Sequence, residues 1–151
     1  MNTTGEITLE SPGDDVIEMD RMYFPNPWES SQWLALNPGL NRLFTWRFQG
    51  ELRGFALFGV APDDNVAHLF KIVVSPQYRG SSTGSIFWPL LTAHLVTKGV
   101  NSVFLEVGVD NSRAIRFYEK LGFKALRRVR GFYSDGGDAQ TMTLTLKVEV
   151  L

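Results

Sequence analysis

The residues with the clearest chemical potential form a short loop between a predicted strand and a predicted helix. The loop, Arg-Gly-Ser-Ser-Thr-Gly at positions 79–84, follows the apolar run 69–74, and residues 85–98 have the pattern of a helix. Backbone N–H groups in the first turn of a helix have no partner within it, and the helix dipole adds partial positive charge there. Small side chains let an anion approach this backbone, and an arginine can donate several hydrogen bonds to it. The stretch therefore predicts a phosphate-binding loop, although an ordinary turn between strand and helix has a similar composition.

A single glutamate, Glu106, interrupts the second apolar strand, which we predict over residues 102–109. A carboxylate is costly to bury unless it is paired or has a chemical use. Three interpretations therefore remain open: a general base, a partner of an arginine, or a side chain that reaches solvent at the end of the strand.

The elements that must position these residues mix hairpins with strand–helix–strand connections. We predict strands around Ile7 and Leu9, at 43–49, 52–60, 66–75 and 102–109, from Phe123, and through Met142, Leu144, Leu146 and Val148. We predict helices at 15–22, 29–36, 85–98 with a kink at Pro89, and from Asp110 or Asn111 to Leu121. This order predicts an α/β fold with a mixed central sheet and helices on both faces. In such sheets, ligands bind at the carboxyl ends of parallel strands, where the loop lies.

Length and composition limit the remaining classes of function. The chain has 151 residues, of which 44% are hydrophobic, so we expect one domain over residues 1–151. No apolar run approaches the ~20 residues of a membrane helix. The first ten residues lack the basic and apolar regions of a signal peptide. We therefore expect a cytoplasmic protein that does not bind a membrane.

The reactive side chains are few. With no cysteine and two histidines, the chain has no thiolate nucleophile, and we expect no metal. A net charge of −1 gives no general attraction to nucleic acid, so we expect no direct nucleic-acid partner. Arg127, Arg128 and Arg130 lie close in sequence, and we interpret them as a solvated strand edge. We interpret His68 and His94 as structural.

A second motif follows the loop and makes the pattern more specific. Its members are Leu105-Glu106-Val107, Asn111, Ala114-Ile115, Tyr118-Glu119 and Leu121-Gly122-Phe123. It resembles the signature that ends the acetyl-CoA region of the GNAT acetyltransferases. The loop at 79–84 resembles their R/Q-x-x-G-x-G/A pyrophosphate loop, with Ser82 where glycine is usual. Within GNAT the chain is most similar to the RimI-type N-acetyltransferases, which acetylate the N-terminal alanine of a small-subunit ribosomal protein.

The resemblance covers most of the chain and implies an activity. It implies the GNAT fold and an enzyme that transfers acetyl from acetyl-CoA to an amine. The favoured acceptor is a protein N-terminal α-amino group, and a small amine or a lysine side chain is the alternative. A third alternative is a GNAT module that binds acyl-CoA without turnover.

The resemblance also implies roles for individual residues. Glu106 would be the general base, and Tyr118 would be the general acid unless it is a core tyrosine on the apolar helix face. Trp28, Phe132 and Tyr133 are candidates for the acceptor groove, with packing as the alternative. The implied acetyl-CoA contacts are Ile72, Val73, Val74, Arg79, Gly80, Ser81, Ser82, Thr83, Gly84, Ser85, Asn111 and Tyr118.

Overall fold

A seven-stranded mixed sheet forms the centre of the protein. The computed structural model describes residues 4–61, 64–80 and 82–146. The strands are β1 (Glu6–Leu9), β2 (Asn41–Phe48), β3 (Glu51–Val60), β4 (Val66–Val74), β5 (Ser102–Gly108), β6 (Lys124–Val129) and β7 (Ala139–Thr145). Their order in the sheet is β1-β2-β3-β4-β5-β7-β6, and β4–β5 is the parallel pair among antiparallel neighbours.

Two helices cover each face of this sheet. They are α1 (Asp14–Tyr23), α2 (Ser30–Leu34), α3 (Trp88–Thr97) and α4 (Ser112–Leu121). Helices α1 and α2 enclose one core with β2, β3 and β4, in which Trp33 and Phe55 are fully buried. Helices α3 and α4 enclose the other core, in which the Trp46 and Phe87 rings stack with centroids 5.0 Å apart. The predicted α/β architecture, a mixed sheet with helices on both faces, is confirmed.

Local sequence explains where several elements end. Gln49 and Gly50 both have positive φ, as the tight turn of the β2–β3 hairpin requires. Asn111 begins α4, where its Oδ1 accepts a hydrogen bond from the Ala114 amide at 3.1 Å. Gly122, with φ of 107°, stops α4 in the left-handed conformation that favours glycine.

The helix around Pro89 begins with a π turn that the sequence pattern does not predict, and the kink at Pro89 stays a prediction. A π turn at Thr83–Phe87 precedes α3, which begins at Trp88, so Pro89 occupies the first helical turn. The π turn runs directly into α3, since the Trp88 amide donates to the Thr83 carbonyl. The sequence pattern could not separate the π turn from the helix that follows it.

Two further features can be compared with the sequence: the last strand and the length of the helices. The predicted final strand agrees with β7 up to Thr145, and its predicted member Val148 lies outside the described residues. Within the residues that the structure describes, no helix combines the length and apolarity needed to cross a membrane.

Candidate active site

The strands β4 and β5 stop pairing about half-way along their length, which leaves a cleft between them. Their ladder ends at the pair His68–Phe104, although β4 continues to Val74 and β5 to Gly108. Along residues 69–74, β4 therefore has a ladder with β3 on one side and none with β5 on the other. This open backbone edge could pair with an extended ligand.

A bulge in β4 accompanies the divergence. Leu57 of β3 pairs with Lys71 and Phe58 pairs with Leu69, which leaves Phe70 as the extra residue. The Phe70 ring lies over Gly59, where a Cβ would come within 2.7 Å of it. A bulge bends its strand and increases the local twist, which is consistent with the separation from β5.

Glu106 lies on β5, two residues past the last ladder pair, and its carboxyl group is hydrogen-bonded to the His68 ring. The distance from His68 Nε2 to Glu106 Oε1 is 2.5 Å. The His68 ring packs on Phe70 and Phe104, with centroid distances of 4.5 and 5.3 Å. Of the interpretations of Glu106, a paired carboxylate is therefore observed, with a histidine in place of an arginine.

Sequence reasoning assigned His68 no site. Residues 68 and 106 share a face of the sheet only because residue 68 pairs with residue 104. The apolar run in each strand predicts the strand, whereas it leaves the register between the two strands undetermined. The apolar runs therefore could not have found this pair, and only a predicted register could.

Tyr133 lies beside the same carboxylate, at the carboxyl end of β5. A tight turn holds it, because the Tyr133 amide donates to the Gly137 carbonyl at 3.0 Å and the Gly136 amide donates to the Tyr133 carbonyl at 2.9 Å. Burial raises the pKa of Tyr133, and the charges of Glu106 and Asp135 raise it further. The phenol therefore keeps its proton and faces a negative charge.

An open cavity of about 440 Å³ extends from this tyrosine. Asp135 and Asp138 were absent from the candidate residues, since both belong to a loop whose path the sequence pattern leaves undetermined. Asp138 accepts hydrogen bonds from Arg128 Nε at 2.8 Å and from the Gly131 amide at 2.9 Å, which ties the loop to β6. The cavity is lined by Gly108, Val109, Asp110, Asn111, Tyr133, Asp135, Gly137 and Asp138.

Tyr118 lies on α4, on the opposite face of the sheet from α1 and α2. Its ring packs in the core, 5.7 Å from the Phe123 ring and 5.4 Å from the Phe117 ring. Burial raises the pKa of Tyr118 to about 12, with a further contribution from Tyr133. Tyr133 therefore interacts electrostatically with Tyr118 and with Glu106, the two predicted catalytic residues.

The predicted phosphate loop connects β4 to the π turn. Gly80 has φ of 85°, and a Cβ built on it would meet nothing within 4 Å, so its surroundings are open. Arg79 Nε donates to the Val74 carbonyl at 2.9 Å, and its guanidinium lies 5.4 Å from the Tyr23 ring centroid. Ser82 has φ of −63° and ψ of −34°, which is ordinary helical backbone, and its side chain forms no cap hydrogen bond.

The remaining loop residues surround the start of the π turn. Thr83 is buried, and its hydroxyl donates to the Tyr78 carbonyl at 3.5 Å. Gly84 and Ser85 are exposed, and a Cβ on Gly84 would be 3.8 Å from Leu121 Cδ2. Ser81 lies outside the described residues.

The side chains of Ile72, Val73 and Val74 belong to the cores, as expected for residues whose backbone would face a ligand. Ile72 and Val74 pack in the core beneath α3 and α4, and Val73 packs beneath α1 and α2. The Val74 carbonyl already accepts from Arg79, so one of its lone pairs is used.

The three aromatic candidates do not form one surface. Trp28 packs against Trp33 in the core beneath α1 and α2, with ring centroids 5.0 Å apart. Phe132 is 45% exposed and contacts the Tyr133 ring edge-on at 4.9 Å. The structure therefore brings Phe132 into contact with Tyr133, which lines the cavity, and places Trp28 in a separate cluster.

The geometry fits a CoA thioester. The open edge of β4 suits the amide groups of a pantetheine arm, and the loop before α3 suits a pyrophosphate. Among the described residues, no group of three or more His, Cys, Asp or Glu side chains could hold a metal ion.

Comparison with known proteins agrees with this geometry. The model of the acetyltransferase (GNAT) family matches residues 13–123. The chain belongs to the GNAT family, and it is an acetyl-transferring enzyme of the kind that uses acetyl-CoA as donor.

Individual relatives extend over nearly the whole chain. The ribosomal protein bS18-alanine N-acetyltransferase of Escherichia coli is 34% identical over 153 residues, which cover 98% of this chain and 100% of the relative. A putative enzyme of the same name from Bacillus subtilis is 29% identical over 137 residues, covering 88% and 89%. The crystal structure of the Escherichia coli ribosomal-protein alanine N-acetyltransferase has a TM-score of 0.75 and 26% identity, covering 96% of this chain and 97% of that one.

Proposed function

We propose that this enzyme acetylates the N-terminal α-amino group of a protein, with the N-terminal alanine of ribosomal protein bS18 as the favoured acceptor. The observation that carries the proposal is the 34% identity to the Escherichia coli enzyme of that name, which extends over all of that relative. An acceptor of this kind would be met in the cytoplasm, and we propose that residues 1–151 act as one domain.

The donor would lie along the open edge of β4. Backbone groups of Ile72, Val73 and Val74 would pair with the pantetheine amides, as an added strand would. The pyrophosphate would lie at the start of the π turn, where amides and the dipole favour an anion. The residues proposed for this end are Arg79, Gly80, Ser81, Ser82, Thr83, Gly84 and Ser85, with Asn111 and Tyr118 nearer the thioester.

Glu106 would remove a proton from the acceptor amine. Acetyl-CoA supplies an acyl thioester, which a neutral amine can attack. An α-amino group has a pKa of about 7.7–8.0, so a large share of it is protonated at neutral pH. A carboxylate on the cleft wall can accept this proton directly or through one water. The low exposure of Glu106, 16% of its side chain, supports this role because bulk water competes little for the carboxylate.

Tyr118 would give a proton to the departing sulfur. With a pKa raised to about 12, its phenol holds the proton throughout the neutral range. The burial that raises this pKa would also make a thiolate beside it more basic, since a low dielectric disfavours both anions.

The acceptor would approach from the side of the cavity. Tyr133 lines the cavity beside Gly108 and feels the charge of Glu106, and its ring contacts the exposed ring of Phe132. Trp28 would contribute indirectly, because it belongs to the segment that joins α1 and α2 and packs against the core beneath them. A peptide backbone could lie across this surface, whereas a small amine would contact only part of it.

An acceptor panel tests the proposal. Acetyl transfer would be measured with peptides that begin with alanine, serine or methionine, with N-terminally blocked peptides that contain lysine, and with polyamines. The proposal expects the highest kcat/KM with a peptide that reproduces the start of bS18, and loss of activity when its amine is blocked. Preference for a polyamine or a lysine side chain would overturn the acceptor assignment. Binding of acetyl-CoA without transfer to any amine would favour a module that senses acyl-CoA.

A further inference from the structure

His68 contacts the carboxylate that the proposed mechanism uses, and its chemistry suggests a control on that carboxylate. We propose that His68 is a positioning residue that holds Glu106 by a hydrogen bond from Nε2 and, when doubly protonated, suppresses acetyl transfer below neutral pH. This inference rests on the proposed role of Glu106 as the base.

The hydrogen bond fixes which ring nitrogen carries a proton. An ionised carboxylate has acceptors and no donors, so a contact of 2.5 Å requires a hydrogen on His68 Nε2. The bond uses Oε1 of Glu106 and leaves Oε2 as the oxygen that can take a proton from the amine. Packing on Phe70 and Phe104 limits rotation of the imidazole, so the ring can hold the carboxylate in one orientation.

The side chain of His68 is more exposed than that of Glu106, as expected of a group that senses pH and controls the carboxylate. The His68 side chain is 35% exposed, and the Glu106 side chain is 16% exposed. A positive charge on His68 therefore keeps more of its hydration than it would at the burial of Glu106. Histidine is also the side chain suited to gain a proton between pH 5 and 8.

The other titratable groups near the pair are two neutral phenols, one aspartate and one lysine that already has a partner. Tyr133 faces Glu106 from the β6–β7 connection, and burial raises its pKa, so it stays neutral. Asp135 acts on Tyr133 from the same connection. Lys71 is three residues along β4 from His68, and the Asp20 carboxylate of α1 is its partner. Tyr118 faces Tyr133 from α4 and is neutral as well.

Protonation of His68 would weaken the base. The uncharged ring donates one hydrogen bond, whereas the imidazolium adds a full positive charge at the same distance. A nearby positive charge favours the ionised carboxylate and so lowers its tendency to take a proton. General-base catalysis slows as the base weakens. The proton balance is simple: Nδ1 gains one proton from solvent as pH falls and returns it as pH rises.

Two substitutions separate the hydrogen bond that His68 donates from the effect of its positive charge. His68→Gln keeps an N–H donor at a similar reach and cannot become charged, and His68→Leu removes the donor. At pH ~8, we expect the glutamine variant to keep kcat within about 3-fold of the wild type, since the hydrogen bond is kept. The leucine variant should lose roughly 10-fold or more in kcat with an unchanged KM for acetyl-CoA, as expected for one charge-assisted hydrogen bond.

The pH profile is the decisive measurement. Between pH ~8 and ~5.5, kcat/KM of the wild type should fall more steeply than that of His68→Gln, so their normalised profiles diverge in acid. His94→Leu changes the second histidine, which is exposed on α3, and should reproduce the wild-type profile. Identical normalised profiles for the wild type and His68→Gln would overturn the inference.

A double variant distinguishes the inference from the function on which it rests. In the Glu106→Gln background, His68→Leu should change kcat by less than about 2-fold, because its target is already lost. An undiminished effect there would show that His68 acts elsewhere. Full activity of Glu106→Gln alone would instead overturn the proposed base. If His68→Leu does not fold, the profile of His68→Gln still decides.

Discussion

Lys71 Nζ lies 2.8 Å from Asp20 Oδ1, and neither side chain is more than 1% exposed, so an ion pair inside the protein joins β4 to α1. The second oxygen of Asp20 accepts a hydrogen bond from the Trp28 amide at 2.8 Å. The ammonium also lies 4.2 Å from the Phe24 ring centroid and 4.8 Å from that of Trp28. This pair therefore fixes the segment between α1 and α2, which includes one of the proposed acceptor residues.

Removal of one partner should cost more than removal of both. Lys71→Met leaves a buried carboxylate without its counter-charge, and we expect a loss of about 3–5 kcal/mol in the free energy of unfolding. Asp20→Asn with Lys71→Met removes both charges and keeps an oxygen for the Trp28 amide, so it should recover part of that loss. Urea unfolding measures both, with Lys98→Met as an exposed control. Additive losses in the double variant would contradict a coupled pair.

Glu106→Gln should lower kcat by ~10²–10⁴, the usual worth of a positioned general base. The loss should shrink as pH rises, because a larger share of the acceptor amine is then already neutral. Steady-state kinetics from pH ~6.5 to ~9.5 measure the trend. Glu119→Gln, on the exposed face of α4, is the matched control and should keep wild-type rates. An unchanged rate in Glu106→Gln at neutral pH would leave Glu106 a structural partner of His68.

Tyr118→Phe should slow acetyl transfer and leave the affinity for acetyl-CoA largely intact. The same substitution should change stability in alkali. A tyrosine in the unfolded chain loses its proton near pH 10, whereas folded Tyr118 keeps it to about 12. Between these values the unfolded state binds fewer protons, so the free energy of unfolding falls as pH rises. The phenylalanine variant lacks this contribution and should show a shallower decline in thermal melts. A lower melting temperature with an unchanged kcat would indicate a core tyrosine.

The elements of the site were more predictable than their mutual placement. Runs of apolar residues located β4 and β5, and the cap at Asn111 with the stop at Gly122 defined α4 within a residue or two. These features depend on near neighbours in sequence, so local physics determines them. Glu106 and Tyr118 were identified by resemblance to a family signature, and such a signature is read from the order of residues along the chain.

The features that escaped prediction depend on register between distant segments. The pairing of His68 with Glu106 requires the β4–β5 register, and the bulge at Phe70 requires a glycine at position 59 on another strand. The burial of Lys71 depends on Asp20, which is 51 residues away in sequence. A lysine in an apolar strand gives no local sign that an aspartate will cover it.

Arg47 should control stability in acid. It donates to Glu10 at 2.8 Å and to Asp15 at 2.7 Å, and these hydrogen bonds are the main reason that the pKa of each carboxyl is lowered. Lowered values in the folded state give stability that is complete above the ordinary carboxyl range near pH 4 and is lost as pH falls through the folded values. Arg47→Met should therefore flatten the acid limb of stability.

Thermal melts between pH ~6 and ~2 measure this limb. Arg42→Met provides the control on the same strand, since Arg42 donates to the carbonyls of Pro38 and Asn41. Its acid limb should match that of the wild type. An Arg47→Met limb as steep as that of the wild type would show that other carboxyls dominate the acid response.

Ser82 tests whether the donor loop has adapted to a side chain where its family usually has glycine. Ser82 has a negative φ of −63°, so serine is unstrained there and glycine offers no relief. A glycine at this position would add freedom that costs roughly 0.5–1 kcal/mol to remove. Ser82→Gly should therefore bind acetyl-CoA as well as the wild type or slightly more weakly. The serine side chain forms no cap hydrogen bond, which makes a phosphate oxygen its proposed partner, so Ser82→Ala should weaken binding modestly.

Calorimetry with acetyl-CoA measures both variants, and Ser30→Gly, at the start of α2, controls for a glycine in a first helical turn. A large gain in affinity for Ser82→Gly would contradict this adaptation and show that the natural loop hinders the pyrophosphate.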